Sequence, residues 1–148
     1  MKSFVYCEWI DEDRLTKALP SAVRIGKVVL PDYKLAFVSY HEDGSDEVRG
    51  SGCHVLPEKG TELPGLLYEF DERAKAVAEK LSRVREGRYV AQSFTVRLED
   101  GSTVDGVAYV IKHPVGDSTP NDEYRANMIA GAKKNAFPEA YVKYIESL

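Results

Sequence analysis

Along the chain, apolar and polar positions alternate in two distinct ways, and the order in which they do so predicts the elements. Ser3–Tyr6 is a short apolar, aromatic run that reads as a buried first strand, and Asp11 supplies an N-cap for a short helix over Glu12–Leu19 that Pro20 ends. Ala22–Leu30 and Lys34–Tyr40 are rich in Val, Ile, Tyr and Phe, and Pro31-Asp32 between them is a turn signal, which predicts two adjacent antiparallel strands. His41–Gly52 is polar and Gly-containing and predicts a surface loop or flap. Cys53–Leu56 predicts a short strand, Pro57–Gly60 a turn, and Leu63–Phe70 a further strand with Gly65 inside it.

Helical spacing takes over at Asp71, an N-cap followed by Ala74, Val77, Ala78, Leu81 and Val84 on one stripe. Tyr89–Leu98 then alternates with a period of two, Glu99-Asp100-Gly101-Ser102 makes a hairpin turn, and Thr103–Lys112 returns. His113–Pro120 reads as a loop. Asn121–Lys134 is helical with Tyr124, Met128, Ile129 and Ala132 on its apolar side, and Pro138 opens a last helix. These elements predict an α+β domain with a mixed, largely antiparallel, barrel-like sheet flanked by helices, one domain over residues 1–148.

Composition narrows the function. The chain has 148 residues and a net charge of −4, its basic residues are scattered among acids, and no Lys/Arg cluster offers a footprint for nucleic acid. No apolar run approaches the roughly 20 residues that span a bilayer, so no membrane role is expected. The two cysteines, Cys7 and Cys53, predict neither a disulfide framework nor a metal site, which fits a reducing, cytoplasmic setting. The three histidines lie far apart without ligand spacing, and no cofactor or metal is expected. Gly50-Ser51-Gly52 lacks the lysine and the following helix of a phosphate-binding loop.

The stretch Lys80–Val90 carries the first chemical candidate. Glu86 stands where the helix gives way to a strand, and a carboxylate at the rim of a sheet-lined cavity is placed to act as a base. A solvated charge before a Gly turn is the plain alternative.

Four segments together go further: GSGCHVLPEKGTELPGLLYEF, the helix ending in EGRY, YVAQSFTVRLEDGSTVDGVAYV, and EYRANMIAGAKKNAFPEAYVKYI. Their residues and order resemble the γ-glutamylcyclotransferase family and its AIG2-like relatives over nearly the whole chain. The resemblance implies a small closed sheet holding one polar pocket, and a small γ-glutamyl compound as its ligand. The implied reaction cyclises the γ-glutamyl group to 5-oxoproline and releases an amine or amino acid, with a glutamate at the end of the long helix as acid/base. A catalytically inactive relative binding a small molecule or protein partner in the same pocket is the alternative.

Two departures from the family pattern bear on the site. Where the family's first strand ends in Tyr-Gly-Ser-Asn, this chain reads Tyr6-Cys7-Glu8-Trp9. The glutamate position has two registers, Glu86 when matched on Glu-Gly and Arg85 when matched on Leu81 and Tyr89. The resemblance then implies Glu86 as the catalytic residue, with Tyr6, Cys7, Glu8, Trp9, Tyr89, Tyr109 and Tyr124 binding substrate. A purely structural place in the core suits Tyr89, Tyr109 and Tyr124 at least as well.

Overall fold

The computed structural model describes residues Met1–Leu148 as six strands and four helices. The strands are β1 (Lys2–Val5), β2 (Val23–Tyr40), β3 (Arg49–Glu69), β4 (Tyr89–Leu98), β5 (Thr103–Ile111) and β6 (Pro114–Asp117). The helices are α1 (Glu12–Ala18), α2 (Glu72–Leu81), α3 (Asp122–Lys134) and α4 (Glu139–Glu146). Hydrogen bonding runs β3-β1-β5-β4-β2, and β2 pairs again with β3, so five strands close into a barrel while β6 extends the edge of β2. Only β1 and β5 run parallel, which makes the sheet mixed and largely antiparallel as expected. No helix is long and apolar enough to cross a membrane.

The barrel closes through thin seams. β1 meets β5 at the single register pair Ser3↔Val107, reinforced by the Ser3 hydroxyl donating to the Val107 carbonyl at 3.2 Å. β2 meets β4 at Val28↔Leu98 and Val29↔Arg97. Burial rather than ladder length therefore holds the closure. Leu66, Leu67, Val96 and Ala108 are fully buried inside it, and burying each of the Leu and Val side chains contributes roughly 1.5–3 kcal/mol.

The strands predicted to be interrupted by turns are continuous. Pro31-Asp32 on β2 lies opposite Pro57–Gly60 on β3, where the register steps from Pro31↔Glu62 to Tyr33↔Pro57. Asp32 and Gly60 both adopt positive φ, 67° and 87°, and the Gly60 N–H donates to the Asp32 carboxylate at 2.9 Å. Two turn signals facing one another make a bulge that bends the paired ribbon. The predicted loop His113–Pro120 likewise contains β6, which pairs with the last residues of β2.

α2 stops a turn sooner than its apolar stripe predicts. Asp71 caps it, accepting from the Ala74 N–H at 2.8 Å, but the helix ends at Leu81 and Val84 falls in a turn. The cause lies outside the helix. Glu42 gathers Arg83 and Arg88 at 3.6 and 3.0 Å, and the Asp43 N–H donates to the Glu86 carbonyl at 3.2 Å. Gly87, at φ 79°, lies against the Asp43 carboxylate, where any Cβ would collide.

Candidate functional site

β1 ends at the mouth of the barrel, and its alternation carries Phe4 and Tyr6 inward in a stacked pair, ring centroids 5.7 Å apart. The chain then turns through a short 3-10 turn, Glu8–Ile10, that packs beneath α3. Gly131 makes that approach possible: a Cβ there would lie 2.5 Å from the Asp11 backbone nitrogen. Asn135 seals the junction by donating to the Ile10 carbonyl at 2.8 Å.

A cavity of about 350 Å³ opens between this turn, the start of β4, the end of β5 and the first turn of α3. Tyr6, Cys7, Glu8, Trp9, Tyr89, Tyr109 and Tyr124 all line it. The fold therefore brings together all seven residues expected to bind substrate. Their hydroxyls are held in different ways. Tyr6 donates to the Tyr109 carbonyl at 2.7 Å, and the Tyr89 oxygen accepts from the Cys53 N–H at 3.0 Å. The Tyr109 hydroxyl is buried without a partner.

Burial pushes every one of these phenols up. It does so well beyond the ordinary range for Tyr6, Tyr89 and Tyr124, with neighbouring tyrosines adding to the effect on Tyr6 and Tyr124. For Tyr109, burial and then the nearby Glu79 charge raise it to about 12. At neutral pH these four phenols are therefore uncharged.

Glu8 is the one charged residue lining the cavity. Asn127 of α3 donates to its carboxylate at 3.3 Å, and Arg14 in turn donates to the Asn127 side-chain oxygen at 2.9 Å. Arg14 also faces Asp11 at 3.7 Å, so its charge is shared. No Lys, Arg or His lines the cavity, and no group of three or more His, Cys, Asp or Glu side chains converges as metal ligands.

Two sequence-based expectations meet a different structure. Cys7 and Cys53 form a disulfide, with Cα atoms 6.3 Å apart and a sequence separation of 46. The expectation of no disulfide is corrected, and the inference of a reducing compartment loses that support. Nothing local announces this bond. Cys53 pairs with Phe37 on β2, and only closure of the barrel returns it to the end of β1.

Glu86, expected to be catalytic, is the one site residue not brought to the others. It is exposed in the turn after α2, and Arg85 beside it is exposed too. The end of α2 reaches the cavity through Leu81 and Ser82 instead. Sequence reading passed over Ser82 and Asn127. A signal for Ser82 existed, since it continues the buried Ala74–Ala78 row at a spacing of four.

A closed five-stranded barrel with helices around it and a pocket at the strand ends is an α+β architecture of a shape suited to holding a small molecule. The sequence model of the AIG2-like family matches residues 62–145, and the chain belongs to this AIG2-like, γ-glutamylcyclotransferase family. The gamma-glutamylcyclotransferase of Bos taurus is 25% identical over 145 residues, 98% of this chain and 77% of the bovine one. A solved structure of a gamma-glutamyl cyclotransferase superposes with a TM-score of 0.87 at 21% identity, covering 100% of this chain and 87% of that one. An uncharacterized Homo sapiens protein gives 0.85 at 21% identity over 99% of this chain and 86% of its own. These likenesses to solved structures establish the fold.

Proposed function

We propose that this chain takes a γ-glutamyl amine or amino acid into the cavity and cyclises it to 5-oxoproline, with Glu8 rather than Glu86 handling the proton. The observation that carries the reading is a cavity lined by four tyrosines among apolar side chains, with Glu8 as its one acidic lining residue. Family membership and the activity named for the bovine relative support the reaction class.

The chemistry follows from what the cavity offers. A substrate α-ammonium has a pKa of about 8 and is mostly protonated at neutral pH, so it must lose a proton before attack. The Glu8 carboxylate takes that proton and passes it to solvent, the freed amine attacks the γ-carbonyl carbon, and Glu8 takes the second proton from the attacking nitrogen as the five-membered ring closes. The bond from that carbon to the departing nitrogen breaks as Glu8 returns the proton to it. Between the two steps the carbonyl oxygen carries negative charge. The tyrosine hydroxyls of the lining residues, kept protonated by their raised pKa values, are the donors available for it.

One observation favours a second reading, binding without turnover. The end of α2 presents Leu81 and Ser82 to the cavity, neither of them an acid, while Asn127 engages Glu8. Release of 5-oxoproline from γ-glutamyl amino acids and γ-glutamyl amines separates the two. Turnover by the wild type that Glu8→Gln abolishes and Glu86→Gln keeps supports Glu8 catalysis. A folded protein that binds these compounds without releasing 5-oxoproline supports the second reading, and turnover lost in Glu86→Gln alone overturns the assignment of Glu8.

A further inference from the structure

The disulfide lies at the cavity wall, and its two sulfurs differ in access. Cys7 is half-buried and lines the cavity, whereas Cys53 is 2% exposed, is not part of the lining, and has its backbone N–H bonded to Tyr89. Thiol–disulfide exchange needs a thiolate to approach one sulfur along the S–S axis, and access decides which sulfur is attacked. A cavity of about 350 Å³ admits a small thiol but not a folded protein carrying one.

We propose that Cys7 is a modification site, where a low-molecular-weight thiol that enters the cavity exchanges with the Cys7–Cys53 bond. The thiolate sulfur forms a new bond to Cys7 Sγ, the bond to Cys53 breaks, and its electron pair leaves on Cys53 Sγ, which is protonated to the thiol. The product is a mixed disulfide at Cys7. A second thiol attacking that mixed disulfide releases Cys7 as a thiol and departs as a symmetrical small disulfide, so the protein gains two electrons and the two small thiols lose them.

The structure also selects among thiols. Glu8 is the only charge lining the cavity, so an anionic thiol is repelled and one carrying an ammonium group is attracted. Exchange severs the covalent tie between the Cys7-Glu8-Trp9 turn and β3, and places the adduct in the space a substrate would use. Occupancy of the cavity thereby becomes dependent on thiols. This inference does not rest on the proposed reaction, since it needs the bond and the cavity and no turnover.

The test uses the full chain, oxidised and folded, with cysteamine as the cationic small thiol. After brief treatment, acid quenching and alkylation of free thiols, peptide mass spectrometry locates the adduct. The expected result is cysteamine on Cys7 and alkylation on Cys53. An adduct on Cys53, an equal distribution, or a disulfide that resists cysteamine in the folded state while yielding to it in denaturant would overturn the proposal. Single variants give an independent readout under native conditions. Iodoacetamide should label Cys7 in Cys53→Ser at least about tenfold faster than Cys53 in Cys7→Ser, because reactivity follows access, and equal rates would contradict the asymmetry.

Discussion

The turn after β1 and the turn after α2 both sit at the barrel's edge, and each carries a glutamate. Their fastenings lie on opposite sides. The Cys7–Asp11 segment is held from within and beneath, by the disulfide, by Gly131 of α3 and Asn135 just after it and by Asn127, and Glu8 is left among the residues that line the cavity. The Ser82–Arg88 segment is held from outside. Glu42 collects Arg83 and Arg88, and Asp43 bonds the Glu86 backbone, so the Glu86 side chain is left in water. In the reaction proposed above, which carboxylate serves depends on which face of its turn the fold ties down, more than on its distance along the chain from a motif.

The largest effect that would sharpen this contrast is on turnover. Glu8→Gln should lower kcat/KM for 5-oxoproline release by about 100-fold or more, the usual scale for losing a general acid/base, in steady-state assays on the same γ-glutamyl panel. Breaking the inner fastening comes next: Cys53→Ser should lower unfolding free energy by about 2–4 kcal/mol in urea titrations, given the 46-residue separation it constrains. Gly131→Ala should cost about 1–3 kcal/mol in the same titrations, since its Cβ must push the Asp11 backbone away from α3.

A smaller effect concerns His54, the neighbour of Cys53. It is buried, its Nδ1 accepts from the Ile111 N–H at 3.1 Å, and burial lowers its pKa, so the folded chain favours the neutral ring. The unfolded chain binds a proton more readily, with a pKa of about 6.5. The stability that this burial of a neutral ring preserves is therefore complete above that pH and declines as pH falls below it. Melting temperature measured against pH should show that decline, and His54→Gln should flatten it. Smallest of all, Glu86→Gln should leave turnover within about two-fold, as for most exposed substitutions.

Local chemistry made much of this legible. The β4–β5 hairpin follows from the alternation on either side of Asp100-Gly101, and the helix starts follow from Asp71 and Asn121, whose side chains accept from Ala74 and Tyr124. The tyrosines around the cavity were placed by resemblance to the family. What remained hidden depends on residues far apart in the chain. Pro31-Asp32 looks like a turn until Gly60 is found opposite it, and Cys7 looks free until the barrel brings Cys53 round. Glu86 looks like the end of a helix until Glu42 and Asp43, some forty residues earlier, draw the chain out of helical geometry.

The most direct test of where the site lies is backbone amide NMR during titration with a γ-glutamyl amine, which reads binding whether or not turnover follows. The account predicts that the largest shifts fall on Tyr6–Trp9 and Tyr89, around the carboxylate of Glu8. Shifts centred on Val84–Gly87, with Tyr6–Trp9 unmoved, would contradict it and return the site to Glu86.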